Sequence, residues 1–263
     1  MLSDLEVAVA AANAGADIVR DGFGGAFLTE YKGRSDPVTE VDRAAEEAIL
    51  AVVRRHRPND EIIAEESGGS AAEGRRWIID PLDGTVNFVH GIPHVAVAIG
   101  LYDGDDGLVG VIVDPNRNET FAAAAEGSAT LNGQPITVSS VDELAVAVVT
   151  TGFPYDKHER PEALVAPVAA IVGAANGVRR TGSAALDLAW VACGRFDAYF
   201  EAQVAPWDRA AGSVLVLAAG GSVTDAWGRP TLPITGSILA SNEALHDQML
   251  DLLSPTVPRH YDT

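Results

Sequence analysis

The sequence predicts a mixed α/β fold whose two halves are built differently, and three observations predict it. Residues 1–141 read as two amphipathic helices followed by strands joined through Asp/Gly and Asn/Gly turns, the pattern of an α+β half with a mostly antiparallel sheet. Residues 142–263 alternate strand with helix, which argues for an α/β half with layered architecture. No internal repeat, low-complexity tract or flexible linker lies between them, so one compact unit is expected.

Ser3-Asp4-Leu5-Glu6 is a capping box that opens a helix running to Gly22, with Leu5, Val9, Ala12 and Ala16 on one face. The polar stretch 30–39 reads as a loop. A second helix is predicted over 40–56, stopped by Pro58 and Asn59. Residues 61–64 form a strand ending in Glu65-Glu66-Ser67, and the small, polar stretch 68–74 reads as a mobile loop. Residues 77–79, aromatic and β-branched, form a short buried strand. Residues 95–102 and 108–113 make a hairpin, and 120–124 and 136–138 continue the antiparallel pattern around the Asn132-Gly133 turn. In the second half, strands are predicted at 146–151, 178–180, 198–201, 222–225 and 238–241. Helices are predicted at 161–172, 183–193, 207–219 and 243–253, with Gly194 and Gly220-Gly221 ending two of them.

The net charge of −19 over 263 residues argues against nucleic acid or an acidic membrane as partner, since both demand basic surface. Lysine occurs only at Lys32 and Lys157. A phosphate-bearing substrate therefore needs cations placed locally. Cys193, the sole cysteine, excludes an internal disulfide and reads as a small buried hydrophobe. No apolar run is long enough to span a bilayer and no secretory h-region is present, so the cytoplasm is expected.

The chemistry concentrates in Arg76-Trp77-Ile78-Ile79-Asp80-Pro81-Leu82-Asp83-Gly84-Thr85-Val86-Asn87-Phe88. Asp80 and Asp83 follow apolar strand residues, with Pro81 stiffening the chain between them. Gly84-Thr85 offers free amides at the start of a helical turn, where anions bind well. Glu65 also ends a strand, and Asp208 opens a helix after Pro206-Trp207. Carboxylates beside apolar strand ends are expensive unless paired. Together, Glu65, Asp80, Asp83 and Asp208 would repel one another without divalent cations among them, and carboxylate, water and phosphate oxygens suit magnesium. Zinc would want histidine or thiolate, and the six histidines show no ligand spacing. Oxygen ligands for a hard cation beside a phosphate cradle point to metal-assisted phosphoryl chemistry.

Three other segments each admit two readings. Thr39-Glu40-Val41-Asp42 is a helix cap, or Asp42 accepts a hydrogen bond from Thr85 so that the pair orients a water. Arg179-Arg180-Thr181-Gly182-Ser183-Ala184-Ala185 holds Ser183 as a helix N-cap, or forms a loop that contacts a polar substrate. Glu201 closes a strand and either accepts from a substrate hydroxyl or is a surface acid. Spacing removes several alternatives. Asp83-Gly84-Thr85 imitates the end of the haloacid-dehalogenase motif, but Pro81 occupies the nucleophile position. There is no Cys-x5-Arg, P-loop, Gly-x-Gly-x-x-Gly or Gly-x-Ser-x-Gly.

Residues 77–88 resemble the signature of the inositol monophosphatase family, and Trp207-Asp208-Arg209-Ala210-Ala211-Gly212 resembles its second signature. Glu65-Glu66-Ser67 and the segment 36–42 precede them in family order, and 179–188 and 194–201 look like the bacterial inositol-1-monophosphatase branch. The resemblance covers about residues 5–253. It implies an αβαβα sandwich of the sugar-phosphatase type, usually a homodimer, with the site between the halves. It also implies that Glu65, Asp80, the Leu82 carbonyl, Asp83 and Asp208 hold two or three Mg²⁺. Gly84 and Thr85 would bind phosphate, and Gly182, Ser183, Ala184 and Glu201 would line the alcohol side with Asp83 and Asp208. It favours Asp42 as the partner of a water-orienting Thr85. The implied reaction is hydrolysis of myo-inositol monophosphate by metal-activated water without a phosphoenzyme, with lithium inhibition. Relatives that share the metal motifs act on fructose 1,6-bisphosphate, histidinol phosphate or 3′-phosphoadenosine 5′-phosphate, and the carboxylates do not separate these. A regulatory binding protein is the non-enzymatic alternative, but no metal ligand is lost here.

Overall fold

A computed structural model describes residues 2–33, 36–69, 74–154, 157–158, 161–230 and 235–258. Parts of two predicted loops, at 34–35 and 70–73, and His260 lie outside the described residues.

The chain begins with α1 (Asp4–Gly22) and α2 (Glu40–His56), each opened by a capping box: Ser3 with Glu6, and Thr39 with Asp42. Between them, β1 (Thr29–Gly33) and β2 (Asp36–Thr39) pair as an antiparallel ribbon where a loop was expected. Glu30, Tyr31 and Lys32 of β1 are all exposed and Pro37, Val38 and Thr39 of β2 are all buried, so neither strand shows the alternating pattern that would betray it.

Seven strands then form one sheet, in the spatial order β3 (Glu61–Ala64), β4 (Arg75–Asp83), β5 (Ala96–Asp103), β6 (Asp106–Asp114), β7 (Glu119–Ala124), β8 (Thr130–Leu131) and β9 (Gln134–Pro135). Only β3 and β4 run parallel. The strand expected at 136–138 is absent. Ile136 N–H bonds the Ala129 carbonyl, and Val138 N–H bonds the Ala219 carbonyl in the second half, so this stretch crosses between layers instead of extending the ladder. The short helix α3 (Thr85–Val89) follows β4.

The second half supplies β10 (Val148–Thr151), α4 (Pro161–Ala174), β11 (Gly177–Arg179), α5 (Ala184–Ala192), β12 (Ala198–Val204), α6 (Pro206–Ala218), β13 (Gly221–Thr224), β14 (Gly236–Asn242) and α7 (Glu243–Leu253). Its sheet has the order β11-β10-β12-β14-β13, with β10 parallel to both neighbours. A 3-10 turn at Leu144–Val146 delays the start of β10 past its predicted position.

Three apolar clusters stack these elements. Val7, Ala11, Ile49 and Val53 of α1 and α2 cover Trp77, Ile79, Val97 and Ile99 on one face of the first sheet. Ile78, Ala96, Ala98 and Ile112 on the other face meet Leu186, Leu188 and Leu215 of α5 and α6, which in turn meet Tyr199, Ile238 and Ala240 of the second sheet. Val149, Phe200 and Leu239 on the far face meet Leu164, Ile171, Leu245 and Met249 of α4 and α7. The result is the five-layer αβαβα sandwich. No helix among the described residues is long and apolar enough to cross a membrane.

α6 lies very close to the first sheet. A Cβ on Gly110 would sit 2.3 Å from the Ala211 carbonyl oxygen, and Tyr102 donates its hydroxyl to the Ala210 carbonyl at 2.9 Å. That fit sets the height of the first turn of α6, where Asp208 sits.

Candidate active site

Side chains alternate along a strand, so Asp80 and Asp83, three residues apart, should face opposite sides of the sheet. A bulge prevents this. Asp80 pairs with Ala98 and Asp83 with Ala96, three steps on β4 against two on β5. The extra residue turns both carboxylates to the face shared by Ala96 and Ala98, which packs on α5 and α6. Pro81, with no amide hydrogen for a ladder, lies in the bulge. β12 repeats the device: Glu201 pairs with Ile238, and Val204 with Gly236.

Asp208 reaches the same place from the first turn of α6, which opens with Pro206 at a position where a missing amide hydrogen costs nothing. One oxygen each of Asp80, Asp83 and Asp208 lies within 4.8 Å of the other two. Burial raises the Asp80 and Asp208 carboxyls well above their ordinary value, and the neighbouring acids add to it. Burial also pushes Asp83 up to about 6, opposed by a hydroxyl donor from Ser183 at 2.5 Å and the Ala185 amide at 2.8 Å. Asp80 Oδ1 accepts from the Leu82 amide, whereas buried Oδ2 has no hydrogen-bond partner. Converging, mutually repelling hard oxygens with an unmet acceptor are a donor set that fits a divalent cation.

Glu65 stands at the edge of this set. Its charge raises both Asp80 and Asp208, yet its own Oε1 is held by Lys32 Nζ at 3.2 Å, and Lys32 also holds Glu66 at 2.6 Å. Burial pushes Glu65 to about 7 against the pull of that ammonium. Lys32 comes from the exposed strand β1, and nothing in the local sequence ties it to the acids. Its rarity was the available signal, because both lysines of this acidic chain stand at the site.

The two readings of Asp42 prove compatible. Oδ2 closes the α2 capping box by accepting from the Thr39 amide at 2.8 Å, and Oδ1 accepts from the Thr85 hydroxyl at 3.0 Å. The same hydroxyl also has the Leu82 carbonyl at 3.0 Å. Ser183 is likewise double: its oxygen caps α5 by accepting from the Leu186 amide, while its proton goes to Asp83. Gly84 takes a left-handed backbone with φ of 90° at the start of α3, and Asn87 ties that turn to the Thr181 carbonyl across the halves.

Asp83, Gly84, Thr85, Gly182, Ser183, Ala184, Glu201 and Asp208 all line one cavity of about 580 Å³. Glu201 is buried, not a surface acid. Tyr199 donates to it at 2.7 Å, and burial raises it to about 7. Gly152, Lys157, Arg180, Asp187 and Gln203 also line it. Arg180 belongs to the segment 179–185 that the sequence offers as a cap or a substrate loop; the other four carry no such signal. Asp187 accepts from Thr181, and burial holds its carboxyl well above the ordinary value.

A five-layer sandwich with buried carboxylates converging beside a Gly-Thr turn and a Thr–Asp pair is the arrangement of the sugar-phosphatase class, with a donor set that fits a divalent cation. The chain belongs to the inositol monophosphatase family, whose model matches residues 2–257. It is 42% identical over 255 residues to the inositol-1-monophosphatase of Synechocystis sp., covering 96% of this chain and 89% of that one. It is 39% identical over 263 residues to Nus factor SuhB of Escherichia coli (strain K12), covering 97% and 98%. Among solved structures, the inositol monophosphatase from Anabaena (Nostoc) sp. superposes with a TM-score of 0.88 at 41% identity, covering 97% and 96%.

Proposed function

We propose that this protein is a Mg²⁺-dependent phosphomonoesterase that hydrolyses myo-inositol monophosphate to inositol and phosphate. The observation that carries this reading is the convergence of Asp80, Asp83 and Asp208, the last two of which line a cavity that Glu201 also lines. Glu65, Asp80, the Leu82 carbonyl, Asp83 and Asp208 would hold two or three Mg²⁺. When bound, those ions supply charge neutralisation for the phosphoryl group and acidify water.

The chain's own groups do the positioning. Thr85 gives its proton to Asp42 Oδ1, which leaves a lone pair to accept a hydrogen bond from the attacking water. Burial raises the Asp42 carboxyl, and bonds from Thr39 and Thr85 oppose the rise, so the pair is held in one orientation. Gly84 and Thr85 receive the phosphate. Ser183 and the Ala185 amide fix the rotamer of Asp83. Glu201, held by Tyr199, accepts from a ring hydroxyl of the alcohol, and Gly182 and Ala184 shape that side. Homodimerisation and lithium inhibition belong to the same reading and rest on the family resemblance.

The test is phosphate release from myo-inositol 1-phosphate, fructose 1,6-bisphosphate, histidinol phosphate and 3′-phosphoadenosine 5′-phosphate, with and without Mg²⁺. Mg²⁺-dependent turnover of the first is expected. Silence on all four would replace the enzyme by a binding protein, a role for which relatives named Nus factor SuhB supply the motive.

A further inference from the structure

α6 lies between the two sheets, and its two sides are held differently. Toward the first sheet the backbones approach closely: a Cβ on Gly100 would sit 2.9 Å from the Ala210 Cβ, and one on Gly110 2.3 Å from the Ala211 carbonyl oxygen. Toward the second sheet the tie is a cation. Arg209, next in sequence to Asp208, is 1% exposed and among the largest fully buried side chains. Its Nη1 donates to the Gly236 carbonyl at 3.3 Å and its Nη2 to the Ser237 carbonyl at 3.1 Å, both on β14.

Those two carbonyls lie opposite the bulge of β12. Glu201 pairs with Ile238 and Val204 with Gly236, so Ser237 faces both Ala202 and Gln203. Gln203 and Thr235, on either side of this grip, line the cavity. One side chain thus spans from the turn that presents Asp208 to the strand that faces the bulge presenting Glu201. Packing alone does not call for a guanidinium there. The layer between the sheets is largely apolar, with Leu186, Leu215 and Ile238 among its members, and an apolar side chain of similar length would fill the space without a buried charge. Burial lowers the guanidinium to about 10, with Tyr102, Tyr199 and Asp225 acting against it. Tyr199 is also the donor that holds Glu201. What an apolar side chain lacks is the planar fork, which fixes two acceptors at once in one geometry.

We infer that Arg209 is a positioning residue that sets the distance between the acid and phosphate end of the cavity and Glu201 at its alcohol end, and so favours a polyol phosphate over bare phosphate. The inference rests on the phosphatase reading above, because that distance matters only to a substrate that touches both ends. α6 stays fixed by its fit to the first sheet, so loss of the fork releases the β12–β14 side and displaces Glu201, leaving Asp208 in place.

The test compares KM for myo-inositol 1-phosphate with the calorimetric dissociation constant of inorganic phosphate, both with Mg²⁺. Inorganic phosphate reads the metal end alone. In Arg209→Met, KM is expected to rise about tenfold through loss of the Glu201 contact, while phosphate affinity stays within about twofold of wild type. In a Glu201→Ala background, Arg209→Met should raise KM by less than about twofold further, because the contact it positions is already gone. An unchanged KM overturns the inference, and so do independent effects of the two changes. KM and phosphate affinity that weaken together also overturn it, since they mark a role in folding alone. Arg209→Lys keeps the charge without the fork, and is expected to raise KM by about threefold or more with phosphate affinity unchanged. If Arg209→Met does not fold, Arg209→Lys decides by the same two readings. If the wild-type protein does not hydrolyse myo-inositol 1-phosphate, the phosphatase reading fails by itself. Calorimetric titration of that ester onto the same proteins then decides: weakening of about tenfold in Arg209→Met with phosphate affinity unchanged supports the inference, and parallel weakening, equal affinity or no binding overturns it.

Discussion

Thr85 has one hydroxyl proton and two acceptors at 3.0 Å, Asp42 Oδ1 and the Leu82 carbonyl. Removing the hydroxyl leaves the α2 capping box untouched, since that uses the other Asp42 oxygen. Thr85→Ala is therefore expected to lower kcat by about 10²–10⁴-fold with an unchanged melting temperature. Asp42→Ala should lose activity to the same degree and also about 1–2 kcal/mol of stability through the cap, read by urea unfolding. Near-wild-type turnover in Thr85→Ala would remove the water-orienting role. From the sequence, cap and catalytic partner look like rival readings of Asp42, because one letter hides two oxygens. Ser183 is ambiguous for the same reason, with one atom that both donates and accepts. Lys157 was readable only as composition, and Arg180 only within the segment 179–185 and its two readings, since nothing local says that two strand ends meet.

The helices declare themselves locally and the ribbons do not. Helices predicted at 40–56 and 243–253 match α2 and α7 at both bounds, because their caps, Thr39 with Asp42 and Asn242, lie within a few residues of the ends they satisfy. β1 and β2 stayed hidden because one is exposed and the other buried along consecutive residues, with no alternation in either, and 136–138 is claimed by the end of α6, far away in sequence. The glycines that set the approach of elements were equally silent. A methyl on Gly110 meets the Ala211 carbonyl at 2.3 Å, so Gly110→Ala must lift α6 from the first sheet. A loss of about 1–3 kcal/mol is expected by urea unfolding, with turnover falling as Asp208 moves away from Asp80. Gly152→Ala acts on the other half. Its Cβ would lie 1.8 Å from Glu201 Oε2, so the carboxylate must swing off Tyr199. KM for myo-inositol 1-phosphate is expected to rise by about tenfold, the worth of a charge-assisted bond. An unchanged KM would take Glu201 off the alcohol side.

At the scale of the molecule the acids set the response to pH and metal. Glu65 and Glu201 are raised from an ordinary value of 4.5 to about 7, and Asp83 from 3.8 to about 6. For a raised carboxyl the folded state binds more protons than the unfolded state between the two values, so stability falls as pH rises through that window. His94, lowered by burial from 6.5 to about 4, and His246, also lowered by burial, work in the opposite sense over part of the range, two imidazoles against the larger set of raised carboxyls at the site. The chelated protein is thus expected to melt at a lower temperature at pH 7.5 than at pH 5.5, and Mg²⁺ should restore more at the higher pH. A metal-free melting temperature that rises over this interval would contradict the charge balance described for the site. The two bulges carry a consequence of another kind. Each half of the chain contributes its acid through one supernumerary residue, between Asp80 and Asp83 and between Glu201 and Val204. The in-frame loss of a single codon between Asp80 and Asp83 would restore plain alternation and leave both carboxylates on one face, two residues apart, but would straighten the strand that the bulge bends just before Gly84.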